Sequence, residues 1–260
     1  MTNTAPLSIT VLGSGTAVPE PERFPAGYLV RGGGETALID CGPGVLRRLS
    51  QAGVGLHDVT SVLLTHFHTD HCADVAALLF ALRNPSYRGR APLRLIAAPG
   101  LREWLAHLTA AWPWLSPRAT DYQLDVHEIA PGAHAFGGLR VTAFPINHTA
   151  QSLAYRVQVD GARAVATFSG DADAGLGLVA AARAADLFVC DAAFPDDQYV
   201  PGHLTPGRAG AVAVEAACKT LCLTHFYPEC RGVDLRAQAQ ATFGGDVVLA
   251  HDLLRFDLEK

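Results

Sequence analysis

Four side chains of types that bind divalent metals fall within six consecutive residues of this chain: His66, His68, Asp70 and His71. His66 and His68 alternate around Phe67, so in an extended segment both imidazoles point the same way. Asp70 and His71 fall where a helix is predicted to begin, and they can turn toward a second position. The run therefore predicts a loop that feeds two adjacent metal ions. Imidazole and carboxylate suit zinc, with manganese and iron as alternatives, and spacing alone does not name the metal.

The predicted elements around this run place it on a turn from a strand to a helix. The apolar residues 61–64 predict a buried strand, and residues 73–82 predict a helix. Cys72, beside His71, is the one thiol placed to support a ligand. The alternative is a chance cluster of polar loop residues. A His-x-His-x-Asp-His run arises by chance in about one chain of this length in several hundred, which favours the metal site.

Three further candidates lie at predicted strand ends. His148 follows a strand predicted at 139–144, Asp171 follows one at 164–168, and His225 ends a strand beginning at 221. A lone His or Asp in such a position is more often a capping or turn residue. The histidine run, however, still needs a third nitrogen ligand for one metal and a carboxylate that could bridge both.

The other predicted elements make an α/β chain. Consecutive strands within 123–168, with no helix between them, predict an antiparallel half, which two last strands at 247–250 and 254–256 are expected to close. Helices are predicted at 45–51, 101–112, 176–185 and 207–218. Asp40 is predicted to be a capping or supporting carboxylate rather than a ligand. Trp112 and Trp114 fit core packing, a pocket wall or a subunit contact equally well.

Composition bounds the class of protein. The 260 residues are 49% hydrophobic, enough for a sizeable core, and no linker, charge block or repeat divides them, so one domain spanning 1–260 is predicted. The net charge of −5 argues against a generally basic nucleic-acid binder. The start of the chain lacks the features of a signal peptide, no apolar run is long enough for a membrane span, and the six cysteines form no Cys-x-x-Cys pair. We therefore expect a soluble cytoplasmic protein with buried thiols and no membrane partner.

The chain resembles the metallo-β-lactamase superfamily in the order of its motifs. These are the run Thr65 to His71, then His148, Gly170-Asp171 and His225. Within that superfamily the chain is most similar to the ribonuclease Z branch, over nearly its whole length. That closer similarity rests on four segments: Leu12-Gly13-Ser14-Gly15-Thr16-Ala17-Val18-Pro19, Ile39-Asp40-Cys41-Gly42-Pro43-Gly44, Gly202-His203-Leu204-Thr205 and Leu223-Thr224-His225-Phe226.

The resemblance implies a four-layer αβ/βα sandwich, with two mixed β-sheets face to face, helices on the outer faces and a binuclear metal centre at one edge. One ion would be held by His66, His68 and His148. The other would be held by Asp70, His71 and His225, with Asp171 as the bridge. Two neighbouring dications need such an anionic bridge, and they turn a bound water into hydroxide near neutral pH.

Several departures limit the transfer from ribonuclease Z. Its long tRNA-gripping arm would lie between His148 and Asp171, where too few residues are available here. Its His-Glu-Ala-Thr motif reads Asp191-Ala192-Ala193-Phe194 in this chain, and Pro43 and Val45 stand where ribonuclease Z usually has an acid and a threonine. These differences argue against tRNA precursors as substrates and favour a smaller phosphodiester.

We therefore predict a binuclear hydrolase of a small-molecule or single-stranded oligonucleotide phosphodiester, with Asp70 and His203 as catalytic residues. His203 precedes a predicted helix and would contact the phosphoryl oxygens or protonate the leaving oxygen. A structural histidine is the alternative at that position. The alternative functions are hydrolysis of a thioester, lactone or β-lactam and a non-catalytic metal- or RNA-binding module. A homodimer is left open.

Overall fold

The computed structural model describes residues 7–118 and 121–259. In chain order the first elements are β1 (Leu7–Gly13), β2 (Gly27–Gly32), β3 (Glu35–Ile39), α1 (Val45–Gln51), β4 (Ser61–Leu63), α2 (Thr69–Cys72), α3 (Asp74–Ala81), β5 (Leu93–Ala97), α4 (Leu101–Ala111) and β6 (Leu124–Glu128). They are followed by β7 (Gly132–Phe136), β8 (Leu139–Pro145), β9 (Leu153–Val159), β10 (Ala166–Phe168), α5 (Leu176–Ala182), β11 (Leu187–Asp191), α6 (Pro206–Ala216), β12 (Thr220–Thr224), α7 (Leu235–Gln240), β13 (Asp246–Leu249) and β14 (Arg255–Leu258).

The strands form two sheets, in the orders β14-β1-β2-β3-β4-β5-β6 and β13-β12-β11-β10-β9-β8-β7. Strands β3 to β6 pair in parallel in the first sheet, and β10 to β13 do so in the second. The remaining pairs are antiparallel. The two mixed sheets of the sequence-based prediction are confirmed.

The alternation of side chains along each strand explains why each sheet has the other sheet on one face and helices on the other. On β2, Tyr28 and Val30 point into a core shared with Tyr155 and Phe168 of the second sheet. Leu29, between them, joins a separate cluster with residues of α1 and α3. Successive side chains of a strand point to opposite faces, so a strand buried on both faces needs a second sheet on one side and helices on the other.

The last strand departs from the prediction. It was expected to close the second half of the chain, but β14 pairs antiparallel with β1 at the edge of the first sheet. The backbone N–H of Val11 also donates to the Leu254 carbonyl at 2.9 Å. The local pattern predicted this strand correctly. It could not predict the pairing, because the partner strand β1 lies almost the whole chain length away in sequence.

The predicted antiparallel half was also partly wrong. Strand β6 belongs to the first sheet and runs parallel to β5, because the intervening helix α4 makes a crossover. Strand β7 and helix α7 were not predicted. Strand β7 is an edge strand that is mostly exposed and lacks apolar alternation, and α7 is a short polar helix in which only Leu235 and Ala239 are buried.

Other differences concern boundaries and surfaces. The helix predicted at 73–82 is α3, one residue shorter at each end, with the short helix α2 before it, and α4 ends at Ala111 rather than residue 112. Trp112 and Trp114 are 45% and 52% exposed, so the core-packing interpretation of these indoles is wrong. No helix in the described part of the chain combines the length and apolarity that a membrane crossing requires. Residues 1–6, on which the signal-peptide expectation partly rested, lie outside the described residues.

Candidate metal centre

The candidate ligands come from segments that follow strands at one edge of the sandwich, and two of them, Asp70 and His71, lie on α2. His66 and His68 follow β4, His148 follows β8, Asp171 follows β10 and His225 follows β12 directly. His225 has a left-handed backbone, with φ of 62°. A non-glycine residue in this region is uncommon, and such residues cluster at functional sites.

The first group of donor atoms comprises His66, His68, His148 and Asp171, all within 4.8 Å of one another. The Nε2 atom of His148 lies 3.2 Å from Nδ1 of His68. The Oδ2 atom of Asp171 lies 3.7 Å from Nε2 of both His66 and His148. These nitrogens and this oxygen therefore surround a single small volume.

The second group comprises Asp70, His71 and His225, again within 4.8 Å of one another. The Nε2 atoms of His71 and His225 are 3.4 Å apart. The other oxygen of Asp171, Oδ1, lies 3.0 Å from His71 Nε2 and 3.2 Å from His225 Nε2. Asp171 thus faces each group with a different oxygen, and all seven predicted ligands lie together.

The donor set fits two divalent ions. His66 Nε2 is buried and has no hydrogen-bond partner among the described residues, although it points toward Asp171. An unsatisfied buried polar atom costs about 1–3 kcal/mol, so such an atom in a cluster of imidazoles and carboxylates indicates a missing partner. Nitrogen and oxygen donors of this kind are those of zinc, manganese and iron sites.

Asp40 sets which nitrogen of two histidines is free. Its Oδ2 accepts from Nδ1 of His71 at 2.7 Å and from Oγ1 of Thr65 at 2.9 Å, and its Oδ1 accepts from the Thr65 backbone N–H at 2.8 Å. Thr65 Oγ1, whose hydrogen goes to Asp40, in turn accepts from Nδ1 of His66 at 3.0 Å. Both Nε2 atoms are therefore left as lone-pair donors for a metal. Asp40 has the supporting position that the sequence predicted.

Two further contacts hold the first group. His148 donates from Nδ1 to the Gly202 carbonyl at 2.9 Å, which leaves its Nε2 free. The Cys72 thiol donates to the carbonyl of His68 at 3.1 Å, so the thiol supports the histidine loop from behind. This is the supporting position expected of Cys72.

Opposite charges stabilise the second group. Burial alone lowers the pKa of His225, but the carboxylate of Asp171, the nearby carboxylate of Asp191 and the hydrogen bond to Asp70 outweigh burial and raise that pKa to about 10. Burial raises the pKa of Asp70, yet the hydrogen bond from His225 and the charge of His71 bring it down to about 2. The positive charge of His225 thus offsets these carboxylates, and because histidine ligands must be deprotonated, metal binding would release protons.

His203 is held by a buried carboxylate. Its Nδ1 lies 2.9 Å from Oδ2 of Asp191, which also accepts from the backbone N–H of Ala172 at 3.1 Å. The His203 ring lies parallel to that of His225, with centroids 5.6 Å apart. Burial lowers the pKa of His203, but the hydrogen bond and charge of Asp191 outweigh it, so that pKa is raised. The sequence did not predict this role of Asp191.

Asp191 and His203 also group with Asp171 and His225 within 4.8 Å, which is a third arrangement able to hold an ion. Within this arrangement Oδ2 of Asp191 already accepts hydrogen bonds from His203 and from the Ala172 backbone, and Nε2 is the ring nitrogen of His203 that Asp191 leaves free.

The loop that carries His203 is fastened by Asp173, which sequence reasoning also missed. The carboxylate of Asp173 accepts from Oη of Tyr199 at 2.5 Å, from the backbone N–H of Gly202 at 3.3 Å and from Nη2 of Arg208 at 2.8 Å. Gly202 is the residue whose carbonyl orients His148. Asp173 therefore links the position of His203 to that of a candidate ligand. The motif Gly170-Asp171-Ala172-Asp173 was the available signal in the sequence, but the prediction included only Asp171.

An aromatic pair, also not predicted, flanks His203. Phe194 and Tyr227 stack with centroids 4.6 Å apart, and each ring lies 6.3 Å from the His203 ring. Burial raises the pKa of Tyr227 to about 12, so its hydroxyl stays protonated at neutral pH. The Tyr227 ring also lies 5.8 Å from that of His225, so the pair forms an aromatic wall beside both histidines.

Comparisons with known proteins agree with this geometry. Residues 35–226 match the model of the β-lactamase superfamily domain. The chain is 32% identical to the ribonuclease Z of Mycobacterium marinum, over 97% of this chain and 99% of that protein. The structure is similar to the metallo-β-lactamase fold protein YhfI from Bacillus subtilis, with a TM-score of 0.84 and 25% identity over 98% of this chain and all of that one. It also resembles the short form of human tRNase Z, with a TM-score of 0.79 and 24% identity over 97% of this chain and all of that one.

Proposed function

The chain belongs to the β-lactamase superfamily as a metal-dependent hydrolase, and we propose that it cleaves small or single-stranded phosphodiesters with two divalent ions, preferably zinc. The observation that carries the proposal is the position of Asp171, whose two oxygens face two separate groups of histidines. Similarity to proteins named ribonuclease Z supports a phosphodiester as the bond that is cleaved.

Each of the two donor groups would hold one ion. His66, His68 and His148 would hold one, and Asp70, His71 and His225 the other, with Asp171 between them. When bound, such ions supply Lewis-acid activation of water and of the phosphoryl oxygens. The negative charges of Asp70 and Asp171 offset part of the positive charge at the centre.

The protein supplies the proton that the leaving group needs. His203 would donate from Nε2 to the departing oxygen, because its Nδ1 is engaged by Asp191 at 2.9 Å. Asp191 is fully buried, and its hydrogen bond keeps the His203 ring in one orientation. Its negative charge favours the protonated form of that ring. The loop contacts of Asp173 hold this ring beside the two donor groups.

Substrate size follows from what lies between His148 and Asp171. That stretch is taken up by β9, β10 and their short connections, and both strands lie within the second sheet. No segment between these two residues protrudes as an arm that could grip a folded RNA. Together with the net charge of −5, this favours a small diester or a single strand over a tRNA precursor.

Hydrolysis of bis-p-nitrophenyl phosphate tests the proposal. Protein purified without chelators should carry about two equivalents of metal and release p-nitrophenolate, and chelation should abolish the release. His68→Ala and Asp70→Ala should abolish it as well. His107→Ala is the matched control, since His107 is an exposed histidine of α4 outside the donor groups, and it should retain activity.

A substrate panel separates the alternative functions. A thioester, a lactone and the β-lactam nitrocefin should be turned over far more slowly than the diester by the same metal-loaded protein. Robust turnover of any of these with none of the diester would overturn the phosphodiesterase assignment and leave a hydrolase of another class. Inactivity on all of them, with metal bound, would favour a binding module.

A further inference from the structure

An apolar cavity adjoins the candidate metal centre. It has a volume of about 400 Å³ and reaches Thr69 and Asp70 at one end. Its walls are mainly apolar, formed by Ala17, Pro19, Phe24, Pro25 and Pro43. The volume lies within the roughly 300–1,000 Å³ typical of small-molecule sites. Because Asp70 belongs both to the cavity wall and to the second donor group, whatever fills the cavity lies next to the reacting centre.

The cavity is preformed, because partly buried hydrogen bonds fix its walls. Asp252 accepts from the Phe24 backbone N–H at 2.9 Å, from the Ser14 backbone N–H at 3.0 Å and from Nε of Arg48 at 3.0 Å. The Arg48 guanidinium lies 4.8 Å from the centre of the Phe24 ring. A Cβ on Gly44 would lie 2.1 Å from the same ring, so only glycine allows Phe24 to pack there. A site fixed in this way loses little conformational entropy when a ligand binds.

Apart from Asp70, at the end next to the metal centre, the charged residues of the wall are engaged with protein partners. Arg23 donates from Nη1 to the Ser14 hydroxyl and the Ala250 carbonyl, both at 2.7 Å, and lies 4.8 Å from the Phe226 ring centre. Glu20 pairs with Arg231 at 3.0 Å. These contacts direct both charges toward the protein. The cavity therefore selects by shape and apolar contact rather than by charge.

We propose that this cavity binds a planar aromatic substituent, an aryl ring or a nucleobase, of the diester whose phosphoryl group lies at the metal centre. The proposal rests on the proposed function and names the substituent that the site selects. Rigid prolines and one phenylalanine offer flat, weakly hydrated walls that suit a ring. A methyl substituent would leave the cavity filled with water.

Binding of two phosphonates to the zinc-loaded protein measures the preference without turnover. Phenylphosphonate should bind about 10–100-fold more tightly than methylphosphonate by titration calorimetry, the range expected for burying one ring. In parallel, kcat/KM should favour phenyl p-nitrophenyl phosphate over methyl p-nitrophenyl phosphate by a similar factor. The kcat/KM of the thymidine 5′-p-nitrophenyl diester, compared with that of the phenyl diester, distinguishes the two rings. A higher value for the thymidine diester indicates a nucleobase, and a higher value for the phenyl diester indicates an aryl group.

Two variants change the cavity at exposed positions, where the fold tolerates substitution. Ala17→Trp fills the cavity and Pro43→Glu places a charge beside Asp70, and each should reduce the phenyl-to-methyl ratio by about tenfold. Val214→Trp is the control, because it adds the same indole at an exposed position on α6 and should leave the ratio unchanged.

The outcomes separate the two proposals. Equal affinities for the two phosphonates, or an unchanged ratio in both cavity variants, would overturn the aromatic site while leaving diester hydrolysis intact. A clear phenyl preference in binding, with no diester cleaved, would uphold the aromatic site and overturn the phosphodiesterase assignment.

Discussion

Replacing Asp40 by Asn tests whether one buried carboxylate prepares two histidines for metal binding. Asp40 is fully buried and accepts three hydrogen bonds, from His71, from the Thr65 hydroxyl and from the Thr65 backbone. All three partners are donors. The amide of Asn has an NH₂ group in place of one oxygen, so either orientation of the side chain sets a donor against a donor.

The magnitude follows from these contacts. With the amide nitrogen facing His71, the proton of that ring moves from Nδ1 to Nε2, the atom that faces Asp171 and would bind metal. Loss of a supporting carboxylate of this kind typically lowers metal affinity 10–100-fold, or about 1.4–2.8 kcal/mol. A single hydrogen bond to a charged group contributes about 1.5–3 kcal/mol, which agrees with that range.

Competition for zinc against a chromogenic chelator measures the effect. Asp40→Asn should weaken zinc binding by the factor given above, whereas Asp74→Asn should not. Asp74 is the matched control because it accepts from the backbone N–H groups of Gly44 and Leu46 at the start of α1, and neither of these hydrogen bonds involves a histidine. A folded Asp40→Asn protein with wild-type zinc affinity would refute the reasoning.

Three further predictions concern the acid, the loop and the thiols. His203→Ala should lower kcat by about 10²–10⁴-fold for diesters with alkyl leaving groups and by less for p-nitrophenyl diesters, and equal losses would indicate phosphate binding instead. Because Asp191 raises the pKa of His203, the protonated acid persists as pH rises and activity is lost above that pKa. Asp191→Asn should therefore move the alkaline limb of the kcat profile to lower pH, and an unmoved limb would contradict this. Asp173→Ala should lower kcat about tenfold through misplacement of the His203 loop, while Arg208→Ala should have a smaller effect. Burial raises the pKa of Cys72 and Cys222 to about 12, so a thiol reagent at pH 8 should react slowly with the folded protein and with all six cysteines after denaturation.

Local pattern was sufficient for most of the elements and for the candidate ligands. Tyr28, Leu29 and Val30 point alternately to the two faces of their strand, as strand geometry dictates. Because all three are apolar, both faces had to be covered, one by a sheet and the other by helices. The histidine run also predicts a metal site from neighbouring residues alone, because His66 and His68 lie within reach of one ion in any extended turn. These features depend on residues close in sequence, so the sequence alone determined them.

Tertiary structure decided the contacts between distant residues. Strand β14 pairs with β1, Asp252 fastens Ser14 and Phe24, and Asp191 holds His203. Nothing in the periodicity around Asp191 distinguishes it from a buried turn residue. Its role exists only because the loop between β11 and α6 folds back over the end of its own strand. Hydrogen bonds and cavity walls depend on positions in space, and those positions are fixed only when both sheets have packed around their common core.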